Sequence, residues 1–417
     1  MQSLGAHRRY QIGVFMLAWG SYAAVYLLRK PLSLVKKDMQ AEMGLSTSQL
    51  GWMDTAFIFP YALAQMMLGG SADKLGARLT MGSCMLLSAA SMFSFGYWNI
   101  FPLLLFLLFL NGISQSLIWA STVKGIVAWF PGDEQSTVLG LLGTSAFVGG
   151  IVAAATAVRL QMIGWRHCFA LPSAVVGLLG LLVLWLFRPP PSKHEFNSDI
   201  DLKSKREIRQ GSAPGLTQIF SIRGMTETAL ACFGTKAVRY TMLMWLPMYL
   251  YEELEYKEVQ AGLLSTVFDV GGVAGSVSLG YIADKFFNSQ SILCTTFSLL
   301  GSTVAFLLFL YTSTFGMTFN ILFLFLAGFT NCGSDTMITG PIAAQLGKQD
   351  GRNMQGSVIG FINGFGTAGA ILEGPTIGFI ASQFGWKSVF YVMFTVALLS
   401  ALSLTRAQSK SPKTITK

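Results

Sequence analysis

The chain has 417 residues, of which 52% are hydrophobic and only 12% are charged. An ordinary soluble domain carries about 25% charged residues, so this composition cannot supply the surface of a water-soluble protein. The apolar residues occur in long unbroken runs rather than in alternation, which disfavours a transmembrane β-barrel. The composition therefore predicts an α-helical protein that crosses a membrane many times.

Twelve apolar runs are long enough to form membrane-spanning helices. One span needs about 20 mainly apolar residues, so twelve spans use about 250 residues and leave short loops. The runs lie near 10–28, 50–70, 80–97, 101–123, 137–157, 167–187, 226–250, 260–283, 291–312, 317–340, 356–381 and 388–405. We expect the first and seventh runs to continue as helix past their first charged residues.

The longest polar stretch, residues 188–222, separates six runs from six and opens with three prolines. Its composition is typical of a linker rather than of a folded domain. We therefore predict an N-terminal six-helix lobe at 1–187, a cytoplasmic interlobe linker at 188–222, and a C-terminal six-helix lobe with a short cytoplasmic tail at 223–417.

The distribution of positive charge predicts an orientation. The face that carries the N-terminus receives roughly 19 of the 29 Lys and Arg residues, and the opposite face roughly 6. Positive loops stay on the cytoplasmic side, so we predict that both termini and the linker are cytoplasmic. This accounts for the net charge of +9 without a nucleic-acid partner. A bacterial inner membrane, an endoplasmic reticulum membrane and a plasma membrane would each accept such a chain.

Four short motifs of the first half recur in the same order in the second half, 210 to 221 positions later. They are Arg29 with Arg239, Gly69-x-x-x-Asp73-Lys74 with Gly280-x-x-x-Asp284-Lys285, Phe109-Leu110-x-Gly112 with Phe325-Leu326-x-Gly328, and Gly164-Trp165-Arg166 with Gly385-Trp386-Lys387. Two parallel six-helix repeats, related by a pseudo-two-fold axis along the membrane normal, are a transporter architecture with a substrate site between the lobes.

Charged residues within spans are costly and usually functional. The repeat places Arg29 and Arg239 at matching positions, and a guanidinium group pairs bidentately with phosphate oxygens as an ammonium group cannot. We therefore predict that both arginines bind the substrate in one central cavity. Lys236, three residues before Arg239 on the same helix face, is a candidate third positive group. The alternative for Arg29 and Lys30 is an interfacial pair that reaches the aqueous phase.

Several segments carry a family resemblance. Residues 69–78, with Gly69, Asp73, Lys74 and Arg78, resemble the loop signature of the major facilitator superfamily. Other segments resemble the organophosphate:phosphate antiporter family, which includes glycerol-3-phosphate and sugar-phosphate exchangers. They are residues 22–30 in helix 1, 238–250 in helix 7, and Phe268-Asp269-Val270-Gly271-Gly272 and Gln345-Leu346-Gly347-Lys348-Gln349 of the eukaryotic branch.

The resemblance implies that Arg29 and Arg239 are the phosphate-binding pair. It adds Lys236, Tyr22 and Tyr26 to the substrate site. Lys30 is a further candidate, and pairing with a carboxylate or a lipid phosphate is the favoured alternative for it. Tyr22 and Tyr26 would equally form a packing pair. The implied conformational gate consists of Gly69, Asp73, Lys74, Arg78, Asp284 and Lys285.

Two in-span carboxylates and several departures from the family pattern leave alternatives open. Asp269 and Glu373 are either structural ion-pair partners or protonatable groups that couple transport to protons. Gln65 stands where bacterial glycerol-phosphate exchangers have a lysine, and Arg166 where they have a histidine. The identity of the organophosphate therefore stays open.

We predict a secondary transporter that exchanges an organophosphate for inorganic phosphate by alternating access. Two arginines about 10 Å apart at an effective dielectric constant of about 20 repel by about 1.7 kcal/mol, and a bound dianion reverses that sign. The alternatives are a transporter-like sensor of sugar phosphates and an organic anion:proton symporter. The sequence has no phosphate-binding P-loop or zinc-protease motif, so we expect no enzyme activity, no metal and no cofactor. We expect a functional monomer in the lipid bilayer.

The charge distribution yields a labelling prediction. In a variant without native cysteines, a cysteine introduced in 188–222 should react with an impermeant thiol reagent only from the cytoplasmic side. A cysteine at Glu253 should react only from the opposite side. Labelling of the linker from outside would contradict the predicted orientation.

Overall fold

A computed structural model describes residues 2–45, 47–187, 216–349 and 354–410. Its α-helices are α1 Gln2–Val25, α2 Pro31–Met43, α3 Thr47–Leu68, α4 Ser71–Leu75, α5 Ala77–Phe95, α6 Phe101–Ser116, α7 Ile118–Val127, α8 Gln135–Gln161, α9 His167–Leu186, α10 Leu216–Phe220, α11 Met225–Glu252, α12 Glu258–Phe286, α13 Ser291–Thr312, α14 Met317–Met337, α15 Ala343–Leu346, α16 Gln355–Phe384 and α17 Trp386–Lys410. Most of the predicted linker and the tail after residue 410 lie outside the described residues.

The long helices coincide with the twelve predicted runs. In the described residues, eight helical segments are long and apolar enough to cross a membrane. The other four runs correspond to α3, α5, α11 and α16, which also have 19 residues or more. The prediction of an all-α, multi-span membrane protein is thereby confirmed. The seventh run also continues as helix past its charges, since α11 contains both Lys236 and Arg239.

Large apolar side chains point away from the bundle as well as into it. Phe59, Leu63 and Met67 follow one another at intervals of four residues on α3, and each is exposed. Residues four apart lie on the same helix face. A continuous exposed apolar face of this kind is typical of a surface that contacts lipid.

The first span is broken where its charges begin. A 3₁₀ turn, Tyr26–Leu28, follows α1, and Pro31 occupies the first turn of α2. Proline lacks an N–H group and fits only the first turn of an α-helix, so a new helix starts there. The chain therefore continues past Arg29 as predicted, but with a change from α-helix to 3₁₀ turn just before that residue.

The same helix pairs pack in the two halves of the sequence. In the first half α3 packs against α6, and α5 and α1 pack against α9. In the second half α12 packs against α14, and α13 and α11 pack against α17. Because these are the corresponding helices of the two repeats, the packing agrees with the internal repeat in the sequence.

Glycines allow the closest of these contacts. A Cβ atom on Gly275 of α12 would lie 2.6 Å from the carbonyl carbon of Phe329 on α14. A Cβ on Gly328 would lie 2.8 Å from the carbonyl carbon of Phe268 on α12. These distances are shorter than van der Waals contact, so α12 and α14 can approach this closely only through glycine.

The described residues divide into two compact units. The first contains residues within 1–131, 145–219 and 350–361, and the second contains residues within 132–144, 220–349 and 362–417. The units follow the sequence halves except in two segments, 132–144 and 350–361. These segments include the N-terminal parts of α8 and α16, which are held by residues from the other half of the sequence.

The close contact between α12 and α14 yields a stability prediction. Gly275→Ala should lower the free energy of unfolding by about 1–3 kcal/mol, because the added methyl group overpacks the backbone of α14. Gly20→Ala is the matched control, since a Cβ there meets no atom within 4 Å. The melting temperature in detergent measures both variants. Equal melting temperatures for the two variants would contradict the packing constraint.

Candidate functional site

Arg29 lies in the first unit, in an environment of aromatic rings and one amide. Its Nε atom donates a hydrogen bond to Oε1 of Gln115 at 3.1 Å. Its guanidinium carbon lies 4.9, 5.5 and 4.8 Å from the ring centres of Tyr26, Phe57 and Tyr61. Ring faces attract a cation at such distances, so these groups stabilise the half-buried positive charge and orient it.

The other predicted residues of helix 1 occupy different environments. Tyr22 is buried, with its ring centre 5.9 Å from that of Tyr26 and 4.8 Å from that of Trp119. Tyr26 thus links the Arg29 environment to a buried aromatic cluster. Lys30 is exposed, which agrees with the interfacial alternative for this residue.

Arg239 lies in the second unit and is held by a buried carboxylate. Its Nη1 atom lies 2.6 Å from Oδ2 of Asp335 on α14. The exposed fraction of the Arg239 side chain is 23% and that of the Asp335 side chain is 6%. The repulsion expected from the sequence assumed that Arg239 has no counter-ion nearby. The ion pair revises that expectation, because Asp335 compensates Arg239.

Lys236 lies one helical turn before Arg239 and is buried. Its Nζ atom donates to Oδ1 of Asn363 on α16, and it lies 3.5 Å from the carbonyl oxygen of Asn363. A neutral amide orients an ammonium group without cancelling its charge. The structure therefore brings Lys236, Arg239 and their polar partners together within the second unit.

The predicted gate residue Asp73 caps the N-terminus of α16. Its Oδ1 atom accepts from the Gly356 amide at 2.9 Å, and its Oδ2 atom accepts from the Ser357 amide at 2.8 Å and the Ser357 hydroxyl at 2.7 Å. Lys124 Nζ lies 2.6 Å from Oδ1. A carboxylate at this place satisfies the first amides of the helix and interacts favourably with its dipole.

Asp284, the repeat partner of Asp73, caps α8 in the same way. Its Oδ2 atom accepts from the Thr137 amide at 2.6 Å and from the Thr137 hydroxyl at 2.7 Å. Its Oδ1 atom accepts from the Ser289 hydroxyl at 3.1 Å. Asp73 lies in the short helix α4 and Asp284 near the end of α12, so each aspartate joins a helix of one sequence half to a helix of the other half. These contacts explain the composition of the two units.

Gln345 extends the Asp284 cluster. Its side-chain amide lies 3.3 Å from the hydroxyl oxygen of Ser291, which in turn lies 3.0 Å from the hydroxyl of Ser136. Gln345 belongs to the segment that resembles the eukaryotic exchanger branch. The contacts place that segment beside the N-terminus of α8.

The remaining gate residues have separate positions. A Cβ on Gly69 would lie 2.9 Å from Cα of Gly360, so Gly69 permits close approach of α16. Lys74 is exposed, and Arg78 is half-buried. Lys285 donates to the Tyr281 hydroxyl at 2.6 Å on the exposed side of α12. Of the predicted gate residues, the two aspartates and Gly69 therefore contact helices of the other sequence half.

The two possible coupling carboxylates lie in helices of the second unit. Asp269 lies in α12 and is half-buried. Glu373 lies in α16, and its side chain is outside the described part of the structure. All five cysteines are buried free thiols. Across the described ranges, no group of three or more His, Cys, Asp and Glu side chains could hold a metal ion.

The departures from the family pattern lie in different parts of the fold. Gln65 is buried, and its Nε2 atom donates at 3.1 Å to the hydroxyl of Tyr61, one of the rings around Arg29. The Nη1 atom of Arg166 instead lies 2.6 Å from Oε1 of Glu42, and the guanidinium group of Arg166 lies over the Trp165 ring. The hydrogen bond from Trp165 and the guanidinium of Arg166 hold the pKa of Glu42 below its usual range. Gln65 therefore lies next to the Arg29 environment, and Arg166 belongs to a structural ion pair.

The structure pairs the predicted site residues with four residues that were not assigned to the site. They are Gln115, Asp335, Asn363 and Lys124. The sequence contained a signal for two of them. Asp335 is a carboxylate within an apolar run, and Gln115 lies three residues after the repeated Gly112, as Asn331 lies three after Gly328.

Two matching bundles of apolar helices, each with a cation held inside it, define a membrane transport protein. The model for the Major Facilitator Superfamily matches residues 14–374. The chain belongs to the major facilitator superfamily. This membership confirms the family prediction and the prediction that the chain is a transporter rather than an enzyme.

Relatives and solved structures agree with that assignment. The chain is 32% identical to "Putative glycerol-3-phosphate transporter 2" of Arabidopsis thaliana, over 96% of this chain and 86% of that protein. It is 28% identical to the glucose-6-phosphate exchanger SLC37A2 of Mus musculus, over 94% of this chain and 91% of that protein. The resemblance to organophosphate:phosphate antiporters is thereby confirmed. Among solved structures, the proton:xylose symporter XylE has the same fold, with a TM-score of 0.72 at 13% identity over 95% of both chains.

The aspartate caps yield a prediction for hydrogen–deuterium exchange. Asp73→Ala should remove about 1 kcal/mol of cap stabilisation, which raises amide exchange at residues 356 and 357 about fivefold. Asp284→Ala should do the same at residue 137. Lys74→Ala is the control because Lys74 is exposed. Unchanged exchange at 356 and 357 in Asp73→Ala would contradict the cap.

Proposed function

We propose that the protein is a secondary transporter that exchanges an organophosphate, a sugar phosphate or glycerol 3-phosphate, for inorganic phosphate by alternating access. The observation that carries the proposal is the presence of an oriented arginine at the same position of each repeat, in a chain whose relatives bear the names of glycerol-3-phosphate and glucose-6-phosphate carriers. The cargo of those relatives supports a phosphate ester as substrate here.

Phosphate chemistry explains why arginine is needed at these positions. Guanidinium presents several N–H donors in one plane, and this geometry matches two oxygens of a phosphate group. Gln115 and the rings around Arg29 fix that plane, while Asp335 fixes the plane of Arg239. We propose that Arg29 and Arg239 form the phosphate-binding pair, with Lys236 as a third positive group.

The helix caps supply contacts that can form and break during transport. A cap stabilises a helix end by about 1 kcal/mol, so a change of conformation can replace it without unfolding the helix. We propose that the Asp73 and Asp284 caps break and re-form in each transport cycle. The contact with Lys124 strengthens the Asp73 cap. Among the described ion pairs, none places a cation on Asp284 at the second cap.

Charge gives the reason for exchange rather than one-way transport. Besides the neutral Arg239–Asp335 pair, Arg29 and Lys236 bring positive charge into the apolar bundle, and a bound dianion offsets the desolvation cost of that charge. A loaded carrier therefore changes conformation more readily than an empty one.

The proposed topology has two six-helix lobes at 1–187 and 223–417, with the linker and both termini in the cytoplasm. We propose inorganic phosphate as the counter-substrate and a monomer as the functional unit.

Conservative substitutions of the two arginines test this function. Arg29→Lys and Arg239→Lys each keep the charge but lose the planar donor geometry. A lost charged hydrogen bond costs about 1.5–3 kcal/mol, so phosphate exchange in liposomes should fall about 10- to 100-fold in each variant. Unlabelled sugar phosphates and glycerol 3-phosphate, added outside as competitors, would identify the organic substrate.

Arg166→Lys is the matched control, because Arg166 pairs with Glu42 rather than with the proposed site. This variant should exchange phosphate at nearly the unmutated rate. Normal exchange by Arg239→Lys would overturn the assignment of the site. Binding of a sugar phosphate without flux would instead identify a sensor. Flux that follows an imposed pH gradient and ignores internal phosphate would identify a proton symporter.

A further inference from the structure

The carboxylate that holds Arg239 is one of the most deeply buried charged groups of the second unit. Asp335 is only 4% exposed, and its Oδ2 atom lies 2.6 Å from Nη1 of Arg239. Its other oxygen, Oδ1, has no hydrogen-bond partner among the described residues. A carboxylate oxygen buried without a donor is costly, so this ion pair leaves half of the Asp335 hydrogen-bonding capacity unused.

The surroundings of Asp335 on α14 are polar and irregular. Asn331, one helical turn earlier, is fully buried, and neither atom of its amide has a hydrogen-bond partner among the described residues. The π-helical turn Ile338–Ile342, which contains Pro341, starts three residues after Asp335. Such turns recur at functional sites, because they let a helix change the direction of its side chains.

We propose that Asp335 is the internal counter-ion of Arg239, and that a substrate phosphate binds Arg239 by displacing the Asp335 carboxylate. This inference rests on the proposed function. In the empty protein the pair is neutral, so Arg239 carries no net positive charge into the bundle. A phosphate dianion brings two negative charges to the same guanidinium group and offers more acceptor oxygens than one carboxylate.

Displacement makes Asp335 a positioning residue that sets phosphate affinity. The carboxylate competes with the anion for the same donor, so it weakens binding and speeds release. Release is necessary in an exchanger, because an anion that stays on Arg239 blocks the next cycle. Removal of the competing charge should therefore tighten binding and slow turnover together. Damage to the fold would weaken phosphate binding rather than tighten it, so it would not produce this combination of tighter binding and slower turnover.

Asp335→Asn tests the proposal because it keeps the size of the side chain and removes its charge. The dissociation constant for inorganic phosphate, measured with the purified full chain in detergent, should fall about tenfold. Phosphate exchange in liposomes should slow about tenfold at saturating phosphate. Ser334→Ala is the matched control, since Ser334 is the buried neighbour whose hydroxyl, among the described residues, donates to the Thr330 carbonyl of its own helix.

The tightening should depend on Arg239. In an Arg239→Gln background, Asp335→Asn should leave phosphate affinity unchanged within about twofold, because the two residues act as one coupled pair. Tightening that persists without Arg239 would overturn the proposal. Equal or weaker phosphate affinity in Asp335→Asn alone would also overturn it.

Thermal stability separates the proposal from a purely structural role. Phosphate replaces the missing charge, so it should raise the melting temperature of Asp335→Asn more than that of the unmutated protein. A variant that stays unfolded with phosphate present throughout purification would contradict the proposal. Unmutated protein that neither binds nor exchanges phosphate would refute the proposed function itself. If the unmutated protein exchanges phosphate normally and Asp335→Asn changes neither the phosphate affinity nor the exchange rate, only this inference is refuted.

Discussion

A charged side chain inside an apolar helix bundle must have a partner there, and this constraint shapes both halves of the protein. Arg29 contacts an amide oxygen and three aromatic rings. Arg239 is paired with a carboxylate at 2.6 Å. The repeat thus conserves the cation and changes its partner. A carboxylate cancels the charge of a guanidinium group, whereas an aromatic ring orients the group without cancelling its charge.

Backbone chemistry supports the same bundle at its helix ends. The first amides of a helix lack internal partners, and the two repeat-related aspartates supply them for α8 and α16. Glycines at 69 and 280 permit the close approach that these caps require, since a Cβ on Gly280 would lie 3.0 Å from Cα of Thr137. The motif Gly-x-x-x-Asp therefore combines a small residue for packing with a carboxylate for capping.

The sequence predicted the fold and the cations better than it predicted their partners. Run length and charge counts are local properties, so the helices and the in-span arginines could be identified directly. Partners depend on tertiary contact: Asp335 lies 96 positions from Arg239, and Gly356 lies 283 positions from Asp73. The treatment of Arg239 as an uncompensated charge failed for this reason. The 3₁₀ turn Tyr26–Leu28 also falls within the first apolar run, which hydrophobicity alone presents as one continuous helix.

The flux through the protein should depend on the anion inside the liposome. A bound phosphate compensates the positive charge and so permits the change of conformation, whereas the carrier without an anion returns slowly. Uptake of labelled phosphate by liposomes preloaded with unlabelled phosphate should exceed uptake by empty liposomes about tenfold or more. Equal uptake by loaded and empty liposomes, at equal pH on both sides, would contradict the account.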